Sequence, residues 1–382
     1  MLRRQMLRLL TSAPLLGRFS GWGVFAQSPS DDARNAADVY RRTFAWSESV
    51  WRERWKEVNG MLEASRLGPE VDRWLKEAHP ALQALREAAT IKDCRWDDEN
   101  LTLAEIDRDR LAIGHRLPAR MACLSARRLA EQGRFEEALN DAFAALSFAR
   151  RIGEDAVCIA RLFECADETV ACWTLGRILP LLDRPALDSL ARRLDALPAP
   201  PPVSTNVGPE ARFILSSLRD LLADANAVLT DDDWARLKLD ADEVATLQRL
   251  SGGERARLLA HLDETKAAFE ELGRRLDLAS REREAALDEF ILTHHETAPL
   301  AVGWVDRARS YATAVERVGI LFTMLRAGLV LVHDGEAAFL ALRDPSAAGP
   351  FGLERRGNGW IVRSAFPGVK TPTTELTIGF PG

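Results

Sequence analysis

The chain has 382 residues, 47% hydrophobic and 28% charged, enough apolar material for a large buried core and, by length, for two domains. Its net charge of −6, with acidic and basic residues interspersed, argues against a basic face for nucleic acid. The dominance of Ala, Leu, Arg and Glu favours helices.

Residues 1–26 read as a signal peptide: a basic start, an apolar stretch, and Val24-Phe25-Ala26 as an A-x-A-like cleavage site before Gln27. Arg3-Arg4-Gln5-Met6-Leu7-Arg8 resembles the twin-arginine export signal, with Arg18 in the apolar region as a departure. The resemblance implies a protein that folds before export to the periplasm or envelope. The alternative is a cytoplasmic protein that keeps a basic amphipathic start. No later segment is long enough to span a bilayer, which takes about 20 apolar residues. The most apolar run, Gly319 to Val332, carries Arg326 and reads as a core helix.

Residues 27–197 are expected to form a helical domain. Tyr40, Phe44, Trp51, Trp55, Val58 and Leu62 follow helical spacing and mark one core face of a long helix. A second helical region is interrupted at Pro80. The acidic trio Asp97, Asp98 and Glu99 then reads as a solvated loop, with no histidine or cysteine cluster nearby in sequence.

The stretch from Leu117 to Gly153 gives a helix, a turn at Gly133 and a second helix. It resembles a tetratricopeptide (TPR) hairpin: Gly133, Phe135 and Ala138 match that family's glycine, aromatic and alanine positions, and Ala145-Leu146 its later small-residue pair. Ala126 fits where helices approach closely. Ser125, Leu129 and Ala142 depart from the pattern. Only one repeat of about 34 residues matches, whereas a stable array takes about three, so a hairpin is expected and a regular solenoid is not. What the resemblance implies for function is a concave surface for an extended or helical segment of another protein. Arg127 and Arg134 are expected on its exposed polar face, residues 127 to 141.

Cys158, Cys165 and Cys172 recur every seven residues on one helical segment. Neighbours would stand about 10.5 Å apart along the axis, beyond the roughly 7 Å that a disulfide tolerates, and the row reads as a buried stripe. Cys94 and Cys123 are left as a pair that an oxidising compartment would permit.

Pro198 to Pro202 cannot continue a helix, so residues 198–208 read as a stiff linker. A second helical region, 209–340, follows. Leu250 to Thr265 begins LSGGERAR and resembles the signature loop of ABC-type ATPases, but the chain has no Walker A loop to cradle phosphate. Ser251 and Glu254 instead form a capping box ahead of a stripe at Leu258, Leu262, Phe269, Leu272 and Leu276. His294, His295 and Glu296 diverge around a helix and read as a helix end, not a metal site.

Residues 341–382 turn β-prone around Gly357-Asn358-Gly359, a tight-turn signal. Asp344-Pro345, Gly349-Pro350-Phe351, Asp93 to Trp96 and Asn35 to Arg42 resemble a group of exported bacterial proteins of planctomycete type, which join a TPR-like helical body to a short pseudopilin-like tail. That resemblance implies architecture and location and carries no chemistry. The expectation is thus a mainly α protein, a TPR-like or irregular helical hairpin array with a small C-terminal β-hairpin. No catalytic, cofactor-binding or metal-ligating residue stands out. Two function classes follow: an exported non-enzymatic module for an unknown protein or peptide partner, or an extracytoplasmic hydrolase whose site assembles only in three dimensions.

Overall fold

The computed structural model describes residues 34–96, 113–154, 158–223, 255–368 and 371–380, with 245 and 249 as isolated helical positions. The signal-like stretch 1–26, the acidic trio at Asp97, Asp98 and Glu99, and the Ser251 and Glu254 capping pattern lie outside those residues. The chain is mainly α with a small C-terminal antiparallel sheet.

Helix α1 (Ala36–Glu63) starts at Asn35, whose side chain accepts from Ala37 N at 3.1 Å and from Arg95 N at 2.8 Å. The cap therefore also pins the segment that carries Trp96. The aromatic face is core at its N-terminal end: Tyr40 and Phe44 are buried against Trp96 and Phe148, and Phe44 stacks on His115 with centroids 4.0 Å apart. Trp51 and Trp55 are only half-buried. Helices α2 (Glu70–Glu77) and α3 (His79–Thr90) break at Ala78, one residue ahead of the helical turn that accommodates Pro80.

Helices α4 (Leu117–Glu131) and α5 (Phe135–Gly153) fold back on each other across Gly133, whose φ of 76° lies in the left-handed region. Ala126, Ala138 and Ala145 are buried where the helices meet. The outer faces of this hairpin are not free. Helix α4 is enclosed by α1, α3, α5 and helix α6 (Cys158–Ile178), and almost every residue along it is buried.

Arg127, expected on the exposed face, is fully buried. It donates to Met61 O, Leu62 O and Ala64 O, each at 2.9 Å, closing the C-terminus of α1. Arg177 of α6 donates to Leu62 O, Ala64 O and Glu63 O of the same turn. The sequence pattern marks position 127 as polar surface because nothing local shows that a helix ends against it. Arg134 is exposed as expected and pairs with Glu137 at 2.6 Å.

A short helix α7 (Arg184–Asp195) follows, capped by the Asp183 carboxylate. The irregular stretch after it ends at Val203, because helix α8 (Ser204–Ala223) starts inside the segment read as a linker and holds Pro209 within it. Helices α9 (Arg255–Leu276), α10 (Ser280–His294) and α11 (Pro299–Gly303) form a second apolar cluster with α8, including Leu272, Leu276 and Phe269 of the expected stripe. The long helix α12 (Val305–Asp334) belongs to both cores: Val305 to Ala312 pack in the second, Val318 to Leu331 in the first. It carries Arg326 and the most apolar run. Among the described residues no helix is long and apolar enough to cross a membrane.

After α13 (Glu336–Leu340) come β1 (Gly352–Arg356), β2 (Gly359–Ser364) and β3 (Thr374–Ile378), in the order β1-β2-β3. The β1–β2 hairpin turns on Gly357 at φ 50°, with Arg356 paired to Gly359. The third strand extends the expected hairpin into a sheet that packs on α6 and α12. Close approach depends on two glycines. A Cβ on Gly176 would stand 2.6 Å from Thr377 O, and one on Gly328 would stand 2.5 Å from Ile378 Cδ1. Buried Asp344 accepts from Ser364 Oγ, Ser346 N and Ala365 N, tying the lead-in to β2.

Replacing Arg127 by Met leaves buried carbonyls with fewer donors and is expected to lower stability by about 2 kcal/mol. Arg134→Glu, on the exposed turn, is expected to leave the urea midpoint unchanged. Equal behaviour of the two variants in urea titration would contradict the burial of Arg127.

Candidate functional site

The three cysteines of α6 are buried, as the seven-residue row predicts, and Cys94 and Cys123 are not joined by a disulfide. The same helix also buries a polar row at helical spacing, Arg161, Glu164 and Glu168. Glu164 fits only because α5 ends in Gly153, where a Cβ would lie 1.8 Å from its Oε2. That oxygen is buried without a hydrogen-bond partner.

This row borders a cleft of about 330 Å³ between α5, α6, α12 and the proline-rich segment after α7. Arg150, Arg161 and Arg326 reach it from three helices, and Glu168 is the acidic residue in its lining. Val315, Val318 and Phe322 of α12, with Leu197 opposite, give it an apolar wall. Gly319 opens its α12 side, with no atom within 4 Å of where a Cβ would stand.

Each of the three arginines has a carboxylate partner of its own, Asp195 standing 3.6 Å from Arg326 Nε. Arg150 Nε donates to Glu168 Oε1 at 2.8 Å and its Nη1 to Pro198 O at 3.0 Å, with the guanidinium 5.7 Å from the Phe322 ring centroid. Arg326 Nη2 donates to Leu194 O at 2.7 Å. Arg161 pairs through Nη1 with Glu164. Burial pushes the Glu164 carboxyl up to about 8 in spite of Arg161 beside it, and the charge on Glu168 adds to the rise. Burial pushes Glu168 up as well, against the pull of Arg150. Arg161 keeps its charge, as a guanidinium does even where burial works against it, and the Glu164 carboxyl beside it favours the charged form when ionised.

The lining offers little for covalent chemistry. Burial holds the Cys165 thiol up at about 12, far from the thiolate that a nucleophile needs. The six histidines lie elsewhere: His115 faces Glu48 at 3.0 Å, His294 ends α10 against Glu271 at 3.0 Å, His333 faces Asp188 at 3.2 Å, and His79, His261 and His295 are also outside the lining. Among the described residues no group of three or more His, Cys, Asp or Glu is placed to hold a metal. A neighbouring polar cluster, Asp167 with Arg116 at 2.8 Å and Arg120 at 3.6 Å, is closed by Trp55 and Phe163 and fills its own space.

None of the cleft residues stands out in sequence as a site. The one available signal is the charged row Arg161, Glu164 and Glu168 inside a helix whose cysteine stripe already marks it as buried.

Between pH 4.5, the ordinary glutamate value, and about 8, the folded protein keeps a proton on Glu164 that the unfolded chain has released. Stability is therefore expected to fall as pH rises through that interval and to level off above it. Glu164→Gln should remove a share of this decline on the order of 3 kcal/mol, read from urea midpoints near pH 5 and near pH 8. An undiminished decline in the variant would show that Glu164 is ionised across the range.

Comparison with protein-family models, curated proteins and solved structures returns no match for this chain, so the chemistry of the cleft is the guide to what it does.

Proposed function

We propose that the chain is an exported, non-enzymatic binding protein, and that it holds a protein partner in the arginine-lined cleft and not on its helical hairpin. One observation carries the reading. The cleft joins fixed guanidinium groups to an apolar wall, an arrangement suited to recognition, while its only thiol is held protonated. The TPR-like hairpin supplies the scaffold, because α4 is enclosed and cannot offer a concave face. Export rests on Arg3, Arg4 and the site ending at Ala26.

The test uses the mature chain, from about residue 28, as bait for an envelope extract. Gly319→Trp fills the cleft from an exposed helical position and adds helix propensity, so the protein should stay folded and lose its partner. Arg134→Glu should retain it. Lysine at positions 3 and 4 should leave the precursor inside the cell. Capture that survives Gly319→Trp but not Arg134→Glu would return the site to the hairpin. Turnover of a generic ester, peptide or glycan substrate would replace binding with hydrolysis.

A further inference from the structure

Helices α7 and α12 carry complementary charges at the same spacing. Asp188 and Asp195 stand seven residues apart on α7, and Arg326 and His333 seven apart on α12. Seven residues make about two helical turns, so each pair lies on one face of its helix. The later residue of one helix meets the earlier residue of the other, and the four form two rungs between antiparallel helices. Arg326 Nε stands 3.6 Å from Asp195 and its Nη2 donates to Leu194 O at 2.7 Å, while His333 Nε2 lies 3.2 Å from Asp188 Oδ1. On its other side His333 Nδ1 meets Asp334 Oδ1 at 2.6 Å. An ionised carboxylate only accepts, and a neutral imidazole donates from one nitrogen alone. With both carboxylates ionised, the two contacts are hydrogen bonds together only when the ring is an imidazolium. His333 also lies in the last turn of α12, where the helix end favours a cation.

We infer that the His333 rung is an acid-set clamp on α7, the helix that leads into the Leu197 to Pro200 rim of the cleft. The clamp belongs to the free protein and holds whatever the cleft receives. The Arg326 rung is permanent, since a guanidinium keeps its charge. The His333 rung is complete where the imidazole is charged and weakens as the pH rises through the range of roughly 5 to 8 in which histidines change charge. The other charged groups at this join are arginines and carboxylates. Arg184 and Arg192 stand one turn to either side of Asp188, Asp195 is engaged by Arg326, and Glu336 opens α13. Arg193 is turned to α5, where it pairs with Glu136 at 2.9 Å. Leu187, Leu190 and Leu194 are buried in the core, so α7 stays docked with either charge on the ring, and what changes is how firmly its turns are held. Asp188 and Asp334 are half-exposed, which limits the rung to the few-fold effect of a surface ion pair.

Hydrogen exchange of the α7 amides from residue 187 to 195, corrected for the intrinsic effect of pH on exchange, tests this on the full chain without a partner. His333→Gln keeps a donor and removes the titration. Near pH 5.5 it should exchange about threefold faster than the unaltered protein, and near pH 8 the two should agree. His333→Arg makes the charge permanent, so it should match the unaltered protein near pH 5.5 and exchange about threefold more slowly near pH 8. The stability decline assigned to Glu164 is common to all three proteins and cancels in these ratios. Asp188→Asn, at a half-exposed position, should reproduce His333→Gln from the other side of the rung and serves in its place if the histidine variants fold poorly. A ratio of His333→Gln or Asp188→Asn to the unaltered protein that is the same at both pH values would reduce the rung to a fixed structural contact and overturn the inference. So would a His333→Arg variant that behaves like His333→Gln.

Discussion

A guanidinium inside a protein keeps its charge and must find acceptors for it, and this fold is organised around that requirement. Arg127 and Arg177 close the same turn of α1 by donating to its last carbonyls, so the first helix is held by the hairpin and by α6 together. The ring of Phe380 lies 5.3 Å from the Arg127 guanidinium, which brings the C-terminal tail to the same point. Elsewhere Asp141 receives Arg86, Asp167 receives Arg116, and Glu316 receives Arg283, each through paired donors that join separate helices. Truncating one partner of such a pair strands the other in a poor solvent for charge, so these links specify which helices neighbour which. Arg161 is the exception. Its carboxyl partner is pushed toward the neutral form, and the space in front of it is open.

Two apolar clusters meet along α12, which contributes its first turns to one and its later turns to the other. The cleft lies at this join, near Val315, which packs against both clusters. The small sheet is bound to the far part of α12 and to α6 through the glycine gaps at Gly176 and Gly328, with Gly379 N donating to Gly176 O at 3.0 Å. It is a buttress for the two helices that carry Arg161 and Arg326. The residues of the lead-in act locally: Asp344 gathers three donors, and Phe351 is buried 6.4 Å from Phe339 between ring centroids.

Helices were legible wherever periodicity and punctuation agreed. The α1 face from Tyr40 to Val58, the turn at Gly133, the break near Pro80, the buried cysteine row and the hairpin around Gly357 all follow from local chemistry that a reader can name in advance. The misses share a different cause. Arg127 looks like surface because the carbonyls it serves are more than sixty residues away. The start of α8 at Ser204 and its passage through Pro209 depend on packing against α9, which overrides proline as a local signal. The cleft was illegible for the same reason: Arg150, Arg161 and Arg326 are far apart in sequence, and only the fold brings them together. Arg326 was visible as the charge that interrupts an apolar run, but nothing local says that it faces two other arginines.

Hydrogen exchange on the mature chain, with and without its captured partner, addresses most directly the claim that recognition takes place in the arginine-lined cleft. The account predicts added protection within residues 194–200 and 315–326, the stretches that border the cleft, with the turn from 132 to 137 unchanged. Protection confined to the hairpin, residues 117–153, would contradict it.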